Sequence, residues 1–180
     1  MATLAPFVAG PYAATYDASG AVEGTPGQSA GARNFGIVDM FRISRTVEGE
    51  DIAGTNLYGK SVIDSIYSGG NMFLTVTLKS WPTHIKDVLW PFGTNFGDIG
   101  TIGRAMSDLA GAIVLTPTTG TPAAANDAKI RTFGKAIISP QHNLELINGP
   151  INRETPIVFR LYPYLNSTVP VWFVESDPAE

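Results

Sequence analysis

Apolar residues along this chain recur mostly at every second position, which is the spacing of β-strands. The clearest example is the segment NMFLTVTLKSW over 71–81. One face of this predicted strand is apolar and holds Met72, Leu74, Val76 and Leu78. The opposite face is more polar and holds Phe73, Thr75, Thr77 and Lys79. Such a strand places one face in a core and leaves the other for solvent or a partner.

Other segments carry strand patterns that are rich in β-branched and aromatic residues. They are 35–47, 60–68, 110–118, 128–139, 155–164 and 169–176. The polar, glycine-containing stretch over 48–59 predicts a long loop between two of these strands. The pair Gly69-Gly70 predicts a turn that joins the strand before it to the strand after it as a β-hairpin.

One segment, WPTHIKDVLWPFG over 81–93, has helical spacing. Its apolar side chains form a single stripe of Trp81, Ile85, Val88, Leu89 and Phe92. Pro82 suits the first turn of a helix, and Pro91 ends it. One helix among about seven strands predicts a mainly β fold. We expect an antiparallel β-barrel or sandwich with one short flanking α-helix and a long inter-strand loop.

The N-terminal segment differs in composition from the rest of the chain. Residues 1–34 are rich in Ala, Gly, Thr, Ser and Pro, and few large apolar residues follow Tyr16. This composition predicts a flexible N-terminal arm over 1–34, followed by a single β-barrel or sandwich domain over 35–180. An arm that orders only against a neighbouring subunit has the same composition, so both interpretations of the arm stay open.

Charge and cysteine content narrow the possible functions. The net charge is −4, and only 16% of the residues are charged. An acidic chain does not favour binding to nucleic-acid phosphates, which requires clusters of lysine and arginine. There is no cysteine, and therefore no disulfide, thiolate nucleophile or cysteine-bound zinc. No apolar run reaches the length of about eighteen residues that a membrane span needs, so we expect no membrane anchor.

The segment GTNLYGKS over 54–61 matches the phosphate-binding P-loop pattern, with Gly54, Gly59, Lys60 and Ser61 at the required positions. A true P-loop follows a buried apolar strand and opens a helix. Here acidic residues precede the pattern, and β-branched residues follow it over 62–70. The context therefore favours a loop that enters a β-hairpin, and a nucleotide-binding enzyme is the distant alternative.

The remaining candidates for chemistry are few. His84 and His142 are the two histidines, and their spacing fits no zinc motif. Glu48, Glu50 and Asp51 form an acidic group without the spacing of a calcium loop. We therefore expect no enzyme activity, no metal and no cofactor.

Several stretches in order along the chain resemble one protein family. They are YGKSVIDSIYSGGNMFLTVTLKSW (58–81), LWPFG (89–93), DIGTIGRAMSDLAGAIVLTPTTGTPAA (98–124), AIISP (136–140) and RETPIVFRLYPY (153–164). Together they are similar to the tail tube (major tail) proteins of tailed bacteriophages. The resemblance covers most of the predicted domain and leaves out the glycine-rich stretch over 17–34.

This resemblance implies a virion structural protein without enzyme activity. Homohexameric rings would stack into a hollow tube, assembled in the host bacterial cytoplasm and located in the phage tail. Phage DNA would pass through the lumen during ejection without specific binding. The other partners would be further tail proteins, namely the tape measure, the terminator, and the baseplate or tip.

Within that architecture we expect the strands over 58–79 and 36–47 to line the channel, with an acidic wall that repels phosphate. The candidate channel-facing residues are Lys60, Asp64, Phe73, Thr75, Thr77 and Lys79. The candidate ring-stacking loop holds Glu48, Glu50, Asp51, Asn56 and Tyr58. A capsid decoration protein, or a tail-terminator or connector ring protein, is the alternative, since these also use small β domains with arms.

Overall fold

Alternating apolar and polar residues form nine β-strands in the part of the chain that the computed structural model describes. That part comprises residues 12–17, 33–54, 62–78, 88–93, 97–100, 102–118, 129–140 and 155–177. The strands are β1 (Tyr12–Asp17), β2 (Arg33–Ala53), β3 (Val62–Leu78), β4 (Gly111–Pro117), β5 (Ile130–Ile138), β6 (Thr155–Leu161), β7 (Tyr164–Asn166), β8 (Val169–Val171) and β9 (Val174–Ser176). A single turn of 3₁₀-helix at Met106–Asp108 precedes β4. The predicted mainly β fold is confirmed.

The main sheet closes on itself. Its strands are hydrogen-bonded in the order β4, β1, β2, β3, β6, β5, and β5 pairs again with β4. Every pairing is antiparallel, so the sheet forms a six-stranded antiparallel barrel. β9 extends the free part of β5, and β7 and β8 form a separate hairpin. Closure pairs the backbone N–H and C=O groups that an open sheet would leave unpaired at its edge strands.

The barrel interior is filled by the apolar side of each strand. The predicted apolar face of β3 is confirmed, because Met72, Leu74, Val76 and Leu78 are all at most 6% exposed. The largest fully buried side chains are Phe133, Phe159, Leu74, Leu78, Ile113, Leu115, Ile137, Ile157, Val38 and Val76. Of these, Ile137 pairs with Arg160 and therefore lies on the outer side of the sheet. Burying each such side chain contributes about 1.5–3 kcal/mol relative to leaving it in water, which makes this interior the main source of stability.

Part of the outer surface of the barrel is also covered. The ring of Tyr164 lies directly on Gly134 of β5, where a Cβ atom would come within 2.7 Å of three ring atoms. The Tyr164 hydroxyl donates a hydrogen bond to the Thr132 carbonyl oxygen at 3.3 Å. Of the helix predicted over 81–93, Val88 and Leu89 are helical and buried in the core cluster, and residues 81–87 lie outside the described part.

Two turn and loop predictions in this region are wrong. The long loop predicted over 48–59 is strand as far as Ala53, because β2 continues through the acidic stretch. The turn predicted at Gly69-Gly70 is absent, because β3 runs unbroken through both glycines. The pairing skips one residue there, since Glu48 pairs with Gly69 and Gly49 pairs with Tyr67. The glycine pair therefore marks a β-bulge, which a glycine in a strand signals as readily as a turn.

The predicted arm also needs correction over part of its length. Within 1–34, residues Tyr12–Asp17 form β1, which lies between β2 and β4 in the barrel. Ala14 is fully buried and Tyr16 is 4% exposed, so this strand contributes to the core. Residues 1–11 and 18–32 lie outside the described part of the chain.

Candidate assembly surface

β2 and β3 extend as a pair beyond the barrel. β3 pairs with β6 only from Met72 to Leu78, and β2 pairs with β1 only as far as Val38. Towards the tip, residues 47–53 pair only with β3, and residues 62–69 pair only with β2, among the described strands. We call this two-stranded segment the ribbon. At about 3.3 Å per residue its strands extend roughly 25 Å from the point where the bulge begins.

The ribbon exposes an unusual amount of apolar surface. Both faces of the strand pair are exposed, and every described ribbon residue except Gly69 is exposed. Its large apolar side chains are each between 38% and 71% exposed, and they are Val47, Ile52, Val62, Ile63, Ile66 and Tyr67. An isolated two-stranded hairpin is at best marginally stable in water. A long, apolar, exposed edge pair of this kind is typical of a surface that binds another chain.

The ribbon is also acidic. Its charged residues are Glu48, Glu50, Asp51 and Asp64, and it contains no lysine or arginine over 47–53 and 62–69. Asp51 accepts a hydrogen bond of 2.7 Å from the hydroxyl of Ser65 on the facing strand. Asp64 accepts a bond of 2.8 Å from the backbone N–H of Ser65. A surface with this combination of apolar groups and carboxylates favours a partner that offers apolar side chains and a positive charge.

The base of the ribbon is fixed to the barrel by Arg45. Its guanidinium donates a hydrogen bond of 2.8 Å to the Tyr67 hydroxyl. The same group lies 4.8 Å from the ring centre of Trp172 and 5.8 Å from that of Tyr67. Each such cation–π contact contributes about 0.5–1 kcal/mol at an exposed site. Arg45 therefore links one strand of the ribbon to the segment that leads into β9.

A second set of contacts surrounds Asn71, immediately beside the bulge. The Asn71 side-chain amide donates to Glu48 at 3.0 Å, and its carbonyl oxygen accepts from Arg160 of β6 at 2.8 Å. Its backbone N–H donates to the Thr46 hydroxyl at 3.1 Å, and the hydroxyl donates back to its backbone carbonyl at 3.3 Å. These bonds connect β2, β3 and β6 at the position where the ribbon leaves the barrel, and so restrict its direction.

The predicted channel-facing residues fall into two separate regions. Phe73, Thr75 and Thr77 share the outer face of the barrel on β3 and are half-buried. Asp64 is exposed on the ribbon. Lys60 and Lys79 lie outside the described residues.

The charge on these two regions differs in sign. On the barrel's outer face, Arg42 pairs across from Thr75, and Arg160 pairs across from Phe73. The carboxylates Glu48, Glu50, Asp51 and Asp64 all lie on the ribbon instead. The described barrel face thus carries arginines and the ribbon carries carboxylates, and the acidic channel wall stays a prediction.

The predicted stacking residues are only partly a loop. Glu48, Glu50 and Asp51 lie on β2 and form part of the ribbon. Asn56 and Tyr58 lie between β2 and β3, outside the described residues. The structure thus brings the acidic part of the predicted set to a projecting strand pair.

The P-loop-like segment is flanked on both sides by strands. It follows an exposed strand of the ribbon that ends at Ala53, and β3 begins at Val62 directly after it. The helix that a P-loop opens is therefore replaced by a strand. In the described part of the chain, no three His, Asp or Glu side chains are grouped so that they could hold a metal ion. None of the described helical residues belongs to a helix long and apolar enough to cross a membrane.

Sequence reasoning missed the two features that define this surface. The sequence pattern places Val47 at the end of one predicted strand and Ile66 and Tyr67 in a short hairpin, and it does not indicate that the three are exposed together. The stacking of Arg45 on Trp172 joins residues far apart in the chain and leaves no local pattern. The signal that could have found the ribbon is the matching length of the two segments on either side of Gly54–Ser61. No protein-family model matches this chain, and no curated protein is significantly similar to it.

Proposed function

We propose that this protein is a tail tube subunit of a tailed bacteriophage, which forms stacked homohexameric rings. The observation that carries the proposal is the ribbon, a projecting strand pair with six large apolar side chains in solvent. A closed barrel needs no partner for its own hydrogen bonds, whereas the ribbon does. Its apolar and edge surfaces become stable when they contact another copy.

The ordered blocks that resemble the tail tube family support the proposal that the assembly is a tail tube. The ribbon and its connection coincide with the start of the first of these blocks, at 58–81. The ribbon also contains the acidic residues that we expected to contact a neighbouring ring. Its projection beyond the barrel gives these residues the reach that contact between rings requires.

The proposed conduit function agrees with the overall charge of the chain. A tube for DNA must let phosphates pass without retaining them, and lysine and arginine clusters would retain them by counterion release. The chain carries a net charge of −4. DNA would therefore move through the assembly without a specific site.

The test is assembly of the purified full chain, observed by negative-stain electron microscopy and sedimentation velocity over a range of concentrations. We expect hollow rings or stacked tubes. The variant Ile66→Asp should remain monomeric, because it places a charge in the apolar ribbon surface. Leu165→Asp is the matched control, since Leu165 is 55% exposed and Ile66 is 58% exposed. This control should assemble like the wild type.

Three outcomes contradict the proposal. Assembly of Ile66→Asp at the wild-type concentration would show that the ribbon is not the contact surface. A wild-type chain that stays monomeric at every concentration, but binds phage capsids, would make it a decoration protein instead. Saturable ATP binding that Lys60→Ala abolishes would support the nucleotide-binding alternative.

A further inference from the structure

The most exposed apolar side chains of the described residues lie on a loop far from the ribbon in sequence. Ile99 is 82% exposed and Ile102 is 85% exposed. Arg104 follows them and is also exposed, and no described carboxylate pairs with it. We call the described residues 97–100 and 102–104 the isoleucine loop. A pair of isoleucines this exposed is unfavourable in a chain that stays alone in water.

The isoleucine loop is held in place by glycines. Gly100 and Gly103 have φ values of 81° and 87°, which side chains with a Cβ rarely adopt. A Cβ on Gly100 would lie within 2.9 Å of three Phe92 atoms, so the loop rests directly on Phe92. Phe92 in turn packs against the core of the barrel. The two isoleucines are thus presented from a supported loop.

The strand order places the start of β4, to which this loop leads, and the ribbon at opposite ends of the barrel. β2 and β4 both run antiparallel to β1, so they run in the same direction as each other. β2 starts beside the end of β1, where Tyr16 pairs with Arg33, and finishes in the ribbon. β4 starts at the same end, where Asp17 pairs with Ala112. The isoleucine loop leads through the 3₁₀ turn into the start of β4, at the end away from the ribbon.

The two surfaces also complement each other chemically. The ribbon offers apolar side chains together with four carboxylates. The isoleucine loop offers two apolar side chains beside a guanidinium. Its one carboxylate, Asp98, already has a partner within the chain and packs against Gly93. Arg104 is the positively charged group of the loop, and its charge is opposite to that of the ribbon carboxylates.

We propose that the isoleucine loop of one copy receives the ribbon of a second copy in a head-to-tail contact. This inference rests on the proposed self-assembly and names the surface that the ribbon binds. A contact between two different surfaces at opposite ends of a subunit propagates without closing on itself. Ile99 and Ile102 pack against the apolar ribbon residues, and Arg104 lies close to its carboxylates.

Cysteine cross-linking provides a direct test, because the chain has no cysteine of its own. The single variants Ile66→Cys and Ile102→Cys are mixed, assembled, and treated with a short bismaleimide. We expect a covalent dimer that contains one chain of each variant, distinguished by a mass tag on one of them. The control mixture of Ile66→Cys with Leu165→Cys should give no mixed dimer above the level found in unassembled protein.

A charge-reversal series tests the electrostatic part of the contact. Arg104→Glu and Glu50→Lys should each raise the concentration needed for assembly by about tenfold, the equivalent of one strong interfacial pair. The double variant should recover most of that loss. Far-ultraviolet circular dichroism of each monomer checks that the exposed substitutions leave the barrel folded.

The outcomes separate this inference from the proposed function. If the wild type forms tubes but Ile66→Cys cross-links to Leu165→Cys and not to Ile102→Cys, the inference is overturned while self-assembly stands. If the single reversals assemble like the wild type, the proposed role of Arg104 is overturned. If the wild type never assembles, both proposals fail together.

Discussion

Replacing Gly70 by alanine should detach the ribbon while leaving the barrel folded. A Cβ at this position would lie 2.0 Å from the backbone carbonyl oxygen of Thr46 and 3.1 Å from its carbon. Both atoms belong to the backbone of β2, so no rotation of a side chain can relieve the overlap. The two strands must separate by about 1 Å or more at the pair formed by Val47 and Gly70, beside the bulge.

The expected cost follows from the contacts at that point. Overpacking of this kind costs about 1–3 kcal/mol, and each backbone hydrogen bond lost there costs about 0.5–1.5 kcal/mol. The sum, about 2–4 kcal/mol, exceeds what a two-stranded hairpin gains by closing alone in water. The barrel keeps its structure because β3 still pairs with β6 from Met72 to Leu78.

Hydrogen exchange followed by mass spectrometry measures this directly. In Gly70→Ala, amides over 47–53 and 62–69 should lose their protection, while peptides from β4, β5 and β6 keep wild-type exchange. Gly69→Ala is the matched control, since a Cβ there meets nothing within 4 Å and only the φ of 148° opposes it. It should cost about 1–2 kcal/mol and leave the ribbon mostly closed. Unchanged ribbon protection in Gly70→Ala, or equal loss in ribbon and barrel, would refute the reasoning.

Three further predictions concern the stability of the barrel and the base of the ribbon. Gly134→Ala should lower the free energy of unfolding by about 1–3 kcal/mol in urea titrations, and much less in a Tyr164→Ala background, because the new Cβ meets the tyrosine ring. Equal losses in both backgrounds would contradict this. Burial raises the pKa of the Tyr164 hydroxyl above its ordinary 10.0. The folded chain therefore holds that proton more tightly than the unfolded chain, and its contribution to stability is lost as the pH rises above about 10. The wild type should lose more stability than Tyr164→Phe as the pH rises above about 10; parallel curves of unfolding free energy against pH would contradict the raised pKa of Tyr164. Arg45→Lys should speed hydrogen exchange in the ribbon, since lysine keeps the charge but loses the planar guanidinium that lies over the Trp172 ring. Unchanged exchange would show that the contact between Arg45 and Trp172 does not fix the ribbon.

The barrel interior was predictable because its signal is local. Met72, Leu74, Val76 and Leu78 alternate with more polar residues, since one face of the strand meets the core and the other does not. The same argument explains why the acidic part of β2 was missed. Neither face of the ribbon meets a core, so its sequence has no reason to alternate. The acidic part of β2 is a strand because it pairs with β3. This pairing joins two separate segments, so neither segment shows it on its own.

β1 was missed for a related reason. Ala13 and Ala14 carry almost no strand signal, and the surrounding residues resemble a flexible arm. The strand forms because it fills the space between β2 and β4, where Ala14 is fully buried and Tyr12 pairs with Pro117. These partners lie far apart along the chain. Similarly, the pair Gly69-Gly70 fits a turn and a bulge equally well until the partner strand is known.

The distribution of charge bears on how such a chain avoids uncontrolled aggregation. A projecting apolar strand pair would associate with any exposed edge, and charged residues on edge strands oppose this. Glu48, Glu50, Asp51 and Asp64 make two ribbons repel each other, so a symmetric ribbon-to-ribbon contact is unfavourable. A contact with a different surface, one that presents the guanidinium of Arg104, escapes that repulsion. The carboxylates therefore favour directional assembly over random association, and raising the salt concentration should weaken this discrimination by screening it.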